Sequence, residues 1–193
     1  MIQPVKAACT TYSDQELVKT VCDGNLEAYA QIVRRYESKL LRYANSIVKN
    51  PEDAQDCVQE SFISAYKNLR SFDLAKPFSS WIYRIVHNQA ISKWRKKKEV
   101  SMEILGDTIE STENLEESFE QKTTIKQVRD CIQHLPVVYA EVVYLHNIEG
   151  YSYEEVSAIV QKPKGTVSVL IMRAKKMLRV LCEKEKHEPN SKR

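Results

Sequence analysis

The sequence predicts an all-α fold of two helical domains joined by an acidic linker, the second a helix-turn-helix, and three observations carry that reading. Only 4 of the 193 residues are glycine, about 2% against a usual level of roughly 7%, which leaves little material for turn-dense β folds or glycine-rich phosphate loops. Apolar residues recur every three or four positions along most of the chain, the period of one helix face. Capping sequences stand where those stripes begin.

The elements follow in order. Ser13-Asp14-Gln15-Glu16 is a capping box, in which a hydroxyl and a carboxylate satisfy orphan amides at a helix start, and the short helix it opens runs to Gly24. Asn25 caps the next helix, whose stripe is Tyr29, Val33, Tyr36, Leu40, Ala44 and Ile47. Asn50-Pro51-Glu52-Asp53 combines a capping side chain, a proline at the first helical position and two acids at the positive end of the macrodipole. A third helix starts there and reaches about Leu69. The segment from Ser71 to Ser80 contains Pro77 and breaks the period, so it reads as a structured loop. A helix from about Ser80 to Lys98 follows, burying Trp81, Ile82, Ile85 and Val86. From Glu99 to Gln121 there are eight acidic residues and no basic one, the composition of a linker. A helix carrying Ile125, Val128 and Ile132 begins near Phe119, and Leu135-Pro136 opens a valine-rich helix that ends near Gly150. Ser152-Tyr153-Glu154-Glu155 is a second capping box and starts a short helix through Val156 and Ile159. After a turn from Gln161 to Thr166, the last helix turns Val167, Ile171, Ala174, Leu178 and Leu181 inward. Two helices joined by a tight turn, the second ending in basic residues, fit a helix-turn-helix. The expected domains are therefore residues 1–98 and 119–193, with the linker at 99–118.

Composition excludes several classes. No apolar run exceeds four residues, as in Val137 to Ala140, far short of the roughly 18–20 a membrane span requires. The segment Met1 to Cys9 has no secretory apolar core, and a cytoplasmic location is expected. Five cysteines (Cys9, Cys22, Cys57, Cys131, Cys182) are widely spread without a C-x-x-C pair, so neither a disulfide framework nor a zinc site has its spacing and the thiols are expected to be buried apolar groups. Cys131-x-x-His134 is half a metal motif with no second half, and no metal or cofactor is expected. The net charge of +3 names no partner; its distribution is more telling, because a basic cluster, Lys93 to Lys98, lies directly before the acidic stretch.

Two constellations carry function. On the third helix Asp53, Asp56 and Glu60, with Gln55 and Gln59 nearby, share a face opposite Ala54, Cys57, Val58, Phe62 and Tyr66. That face is either simply solvated or a docking surface for a basic partner helix, since clustered carboxylates steer and pair with arginines. From Phe72 to Arg95, the aromatics Phe72, Phe78, Trp81 and Tyr83 are interleaved with Lys76, Arg84, Asn88, Lys93 and Arg95. Aromatic faces hold unstacked bases while cations track phosphates, and an asparagine reads the edge of a base forced from the duplex. Trp81 sits on the apolar stripe and reads as core; the other rings are open to either role.

These residues carry a resemblance. Asp53-Ala54-Gln55-Asp56-Cys57-Val58-Gln59-Glu60-Ser61-Phe62 and Phe78-Ser79-Ser80-Trp81-Ile82-Tyr83-Arg84-Ile85-Val86-His87-Asn88 resemble the first domain of extracytoplasmic-function sigma factors of bacterial RNA polymerase. Leu135-Pro136, Gly150-Tyr151-Ser152-Tyr153-Glu154-Glu155-Val156, Pro163-Lys164-Gly165-Thr166-Val167 and Arg173-Ala174 resemble the second. The resemblance implies that the chain is not an enzyme but directs core RNA polymerase to promoters in a stress or envelope response, with an anti-sigma factor among its partners. It implies that Asp53, Asp56, Gln59 and Glu60 meet the core polymerase. Phe72, Lys76, Phe78, Tyr83, Arg84, Asn88, Lys93 and Arg95 would meet the −10 element, and Lys164, Thr166, Ser168, Met172, Arg173 and Lys176 the −35 element. One departure stands out: where the family continues Gly-Thr-Val with a basic residue, a serine and an arginine, this chain has Ser168, Val169 and Leu170, and that face meets either DNA or a protein. The rival reading is an autonomous regulator that binds duplex operators without polymerase. A nucleic-acid enzyme would need a carboxylate cluster in the setting of a metal site, which the sequence lacks.

Overall fold

The structure, a computed structural model, describes residues 12–104 and 125–187, and among these it is helical with no strand. In chain order the helices are α1 (Asp14–Cys22), α2 (Leu26–Val48), α3 (Pro51–Asn68), α4 (Phe78–Ile104), α5 (Ile125–Gln133), α6 (Val137–Val143), α7 (Tyr153–Val160) and α8 (Lys164–His187). A single 3₁₀ turn, Leu69–Ser71, follows α3, and α6 widens into a π-type turn over Tyr144–Ile148.

The expected caps form. Ser13 and Glu16 bond reciprocally at the start of α1, as do Ser152 and Glu155 at the start of α7. Asn25 accepts from the amides of Glu27 and Ala28, and Asn50 from that of Asp53. Each such cap stabilises its helix by about 1 kcal/mol. The two αL positions, Lys49 and Gln161, end α2 and α7, turning the chain sharply into the next helix.

Two boundaries differ from the sequence reading. Helix α4 runs past Lys98 to Ile104, because Glu99-Val100-Ser101-Met102-Glu103 holds no helix breaker and the first is Gly106. Helix α8 begins at Lys164, inside the expected turn, with the Val167 amide donating to the Pro163 carbonyl at 3.0 Å. The rest of the acidic linker and the expected helix start near Phe119 lie outside the described residues.

Helices α1 to α4 bury one core, built on Ile32, Leu40, Tyr43, Ile47, Ala65, Phe78, Ile82 and Val86. Helices α5 to α8 bury another, in which Ile132, Leu145, Val156, Ile159, Val167 and Ala174 are nearly fully enclosed. The two bodies pack together, α6 against α2 and α7 against α4. Leu181, expected inward on α8, is only half-buried; the enclosed neighbour is Cys182. The expectation that no disulfide forms is corrected here: Cys131 of α5 and Cys182 of α8 are bonded, with a Cα separation of 5.8 Å. Sequence spacing gave no hint because the partners lie 51 residues apart and meet only when the first and last helices of this body close on each other. Cys57 is a buried free thiol and Cys22 a half-buried one.

Candidate functional site

The acidic face of α3 is set by helix geometry. The stripe Ala54, Cys57, Val58, Ser61 and Phe62 is buried, so Asp56, Gln59 and Glu60 project outward and are exposed, with Asp53 half-covered. Helix α4 crosses this face. Lys93 Nζ lies 3.1 Å from Asp53 Oδ1 and 2.9 Å from Asp56 Oδ2, and Lys97 Nζ lies 3.2 Å from Asp53 Oδ2. The hydrogen bond from Lys93, backed by that from Lys97, holds the Asp53 carboxyl below its ordinary range, and the bond to Asp56 raises the Lys93 ammonium. Lys93, expected at the −10 element, is thus engaged by two residues expected to meet the polymerase, whereas Gln59 and Glu60 stand clear.

Beside Gln59 lies a shallow groove between α2 and α3, lined by Val33, Glu37, Leu41, Gln55, Val58, Phe62 and Ile63. Ile63 is 56% exposed. The sequence reading named Gln55 beside the acids but missed the half-buried Leu41 and the exposed Ile63, and it placed the half-buried Val33 in the core. The available signal was that they flank, rather than occupy, the buried stripes of α2 and α3.

The second constellation divides. Phe72, Phe78 and Tyr83 are 8%, 1% and 1% exposed, which corrects the expectation that they present open faces to bases. Phe72, Phe78 and Trp81 form a mutual cluster with centroids 5.0 to 5.5 Å apart, and Tyr36 meets Phe78 edge-on at 5.7 Å. The loop between them, Asp73 to Pro77, is exposed throughout, so these rings are what fix it to the domain. Trp81, expected as core, is half-buried and packs against it. Lys76, Arg84, Asn88 and Arg95 are exposed. The last three recur at spacings of four and seven on one side of α4 and make a continuous basic and amide-bearing face.

The opposite side of α4 faces the second body. Tyr83 meets Tyr43 at 5.3 Å and Tyr151 edge-on at 5.3 Å, and Tyr43 meets Tyr144 at 5.8 Å. His87 Nδ1 lies 3.2 Å from the Tyr43 hydroxyl and 3.7 Å from Glu141 Oε2. Burial, then the nearby cations Lys162 and Arg95, lowers the His87 pKa to about 4. The imidazole is therefore neutral near pH 7, and Nδ1 accepts from Tyr43 when the proton sits on Nε2. Glu141 is 1% exposed; burial pushes its carboxyl up, and Lys162, which donates to Oε1 at 2.6 Å, opposes that.

Lys162 belongs to the turn of the helix-turn-helix. There Gln161 ends α7 in the αL conformation and Ser157 Oγ donates to the Lys162 carbonyl at 2.6 Å. Behind this turn, Val167, Ile171 and Ala174 seat α8. Its outer face presents Lys164, Thr166, Ser168, Met172, Arg173 and Lys176, all exposed, and Lys164 forms an ion pair with Glu154 of α7. Of the two atypical residues, Val169 is 42% exposed while Leu170 is half-buried against its own domain. Leu170 therefore does not extend the outward apolar strip, which is Val169 and Met172.

Comparison with known proteins places this geometry. A sigma-70 region 2 profile matches residues 32–100 and a sigma-70 region 4 profile matches 125–178. The ECF RNA polymerase sigma factor SigW of Bacillus subtilis is 35% identical over 177 residues, spanning 84% of this chain and 92% of that protein. The chain belongs to the ECF sigma factors. The RNA polymerase sigma-H factor of Pseudomonas aeruginosa is 33% identical, across 88% of this sigma factor and 93% of its relative. Among solved structures, CnrH in complex with the cytosolic domain of CnrY superposes with a TM-score of 0.65 at 26% identity, covering 88% of this chain and 97% of that one. The sigma factor RpoE of Bartonella quintana, in complex with the anti-sigma factor NepR, also reaches 0.65, at 23% identity over 80% and 96%, and shows the same fold. The all-α, two-body reading of this sigma factor and its place in transcription initiation agree with these matches. No helix among the described residues is long and apolar enough to cross a membrane.

Proposed function

We propose that this sigma factor docks on core RNA polymerase through α3, engages the −10 element through the outer face of α4 and reads the −35 element with α8. The observation that supports the assignment best is the separation of charge on the first body. Asp56 and Glu60, with Gln59, project from α3 beside an apolar groove, while Arg84, Asn88 and Arg95 project from α4. A carboxylate surface suits the arginines of a polymerase helix, and a basic face with one amide suits a melted strand. Phe72, Phe78 and Tyr83 contribute as the frame that fixes this face, and Lys93 as the residue that ties it to α3.

On this reading the protein is a cytoplasmic initiation factor without catalysis of its own, phosphodiester chemistry belonging to the polymerase. Its regulation includes an anti-sigma partner, supported by the solved relative bound to one. The test is pull-down of purified core polymerase by the full chain, followed by transcription from promoters retrieved by start-site mapping. Core-dependent initiation at a defined −10 and −35 pair is expected. Tight and specific promoter binding without polymerase would instead establish the autonomous regulator.

A further inference from the structure

The disulfide between Cys131 and Cys182 has no part in docking or promoter contact, yet it closes a ring around the whole helix-turn-helix. Cys131 lies on α5, the first helix of the second body, and Cys182 near the end of α8, the last. The 50 residues between them hold α6, the π turn, α7 and the DNA-facing part of α8. A covalent tie between first and last helices restricts the unfolded chain without touching the surface that meets DNA.

We propose that Cys131 and Cys182 form a reversible redox site that sets the stability of the promoter-reading domain. Reversibility rests on the proposed function, because a factor serving polymerase works in a reducing compartment, where disulfides are transient and responsive instead of permanent. The fold supplies the geometry: the Cα separation of 5.8 Å lies within the usual range for a bridge.

The oxidant is of the peroxide class. Cys182 retains slight exposure at 8%, whereas Cys131 has none, so Cys182 meets the oxidant first. Its thiolate sulfur attacks one peroxide oxygen, giving a sulfenic acid and, with a proton, water. The Cys131 sulfur then attacks the Cys182 sulfur, the S–S bond forms, and the sulfenic oxygen leaves as a second water. Two thiols are oxidised and one peroxide is reduced. Thiol exchange with a small dithiol reverses the step.

Position adds a consequence. The Ile132 carbonyl, next to Cys131, accepts a hydrogen bond from Lys49 Nζ at 3.1 Å, so α5 is held both by the bond to α8 and by the end of α2. The oxidised second body is therefore fixed at two edges.

The experiment uses the full chain, reduced with dithiothreitol, divided, and one half treated with hydrogen peroxide. Both halves are alkylated under denaturing conditions and weighed intact, then mapped by peptide. The reduced chain, with 5 cysteines, should take up five alkyl groups and the oxidised chain three, with one cross-linked peptide pair joining Cys131 to Cys182. The thermal midpoint of the oxidised chain should rise by several degrees, and dithiothreitol should reverse it. Cys131→Ala with Cys182→Ala should show no peroxide-dependent shift. Five alkyl groups after peroxide, a cross-link through Cys9, Cys22 or Cys57, or equal midpoints in the two redox states would each overturn the proposal. None of these readouts involves polymerase, so their failure is distinct from failure of the proposed function.

Discussion

The pair Glu141 and Lys162 offers the sharpest energetic test, because its two halves are buried so unequally. The Glu141 side chain is 1% exposed and that of Lys162 is 32% exposed, with 2.6 Å between carboxylate and ammonium. Removing the carboxylate with Glu141→Leu leaves an ammonium that swings into water, at a cost of about 1 kcal/mol. Removing the cation with Lys162→Met strands a carboxylate among Tyr43, His87 and the core of the second body. Breaking a buried pair in that way costs about 3–5 kcal/mol. Protonation limits the loss, since a carboxyl already pushed up by burial takes up a proton at about 1.4 kcal/mol per unit between its pKa and the solution pH. Lys162→Met is thus expected to cost about 3 kcal/mol at pH 7 and less at pH 5. The double variant should recover most of that loss, because two apolar side chains replace the pair together. Urea unfolding followed by far-UV circular dichroism measures all three variants. If Lys162→Met proves no costlier than Glu141→Leu, the burial asymmetry does not govern this turn and the reasoning fails.

Three further outcomes follow from the surfaces and the seam. Asp56→Arg with Glu60→Arg should abolish core-polymerase binding in pull-down while leaving the helical spectrum intact, since both side chains are exposed and losing an interfacial charge pair costs about 2–5 kcal/mol; wild-type affinity would remove α3 from the docking role. Asn88→Ala should weaken permanganate reactivity at the −10 element without lowering stability, whereas Phe72→Ala, which empties a buried ring site, should destabilise by about 3–5 kcal/mol whatever the DNA; equal stability of the two variants would contradict this division. For pH, the folded His87 has its pKa lowered to about 4 from 6.5, so the unfolded chain binds the proton first and stability falls as pH drops from 6.5 towards 4. Tyr43, Glu141, Lys162 and Arg95 surround it, and the raised Glu141 carboxyl acts in the opposite sense, so the check is the difference between wild type and His87→Gln, which should shrink as acid is added.

The helices were legible because their signals are local. Ser13 with Glu16, Asn25, Asn50 with Pro51, and Ser152 with Glu155 each specify a start through atoms within one turn, and the structure forms every one. The exposed set of α8 was legible for the same reason, since helical period fixes which residues lie opposite Val167, Ile171 and Ala174. What escaped depends on elements far apart in sequence. Phe72 and Phe78 flank a period-breaking loop and look available, and only the arrival of Tyr36 and Trp81 shows that they are interior. Cys131 and Cys182 carry no spacing signal. Lys93 reads as a phosphate contact in a basic run until α4 crosses α3 and delivers it to Asp53 and Asp56.

That crossing bears on how the two surfaces proposed to meet DNA work together. Helix α4 has an outer side with Arg84, Asn88 and Arg95 and an inner side with Tyr83 and His87. In this arrangement α7 lies on the inner side and Tyr151 covers the Tyr83 ring. A DNA strand can reach the outer side with both bodies in place, but Tyr83 can meet a base only after the second body has moved away, and even then Tyr43 covers it from within the first. If the outer side meets the −10 element as proposed, base capture there falls to Asn88, which stands between the exposed Arg84 and Arg95. An aromatic surface for stacking would have to come from separation of the bodies. The cost of that separation is moderated by the polar character of the seam. Glu141 Oε2 has no hydrogen-bond partner in the closed arrangement and would gain water on opening, offsetting part of the apolar area that the tyrosines would expose.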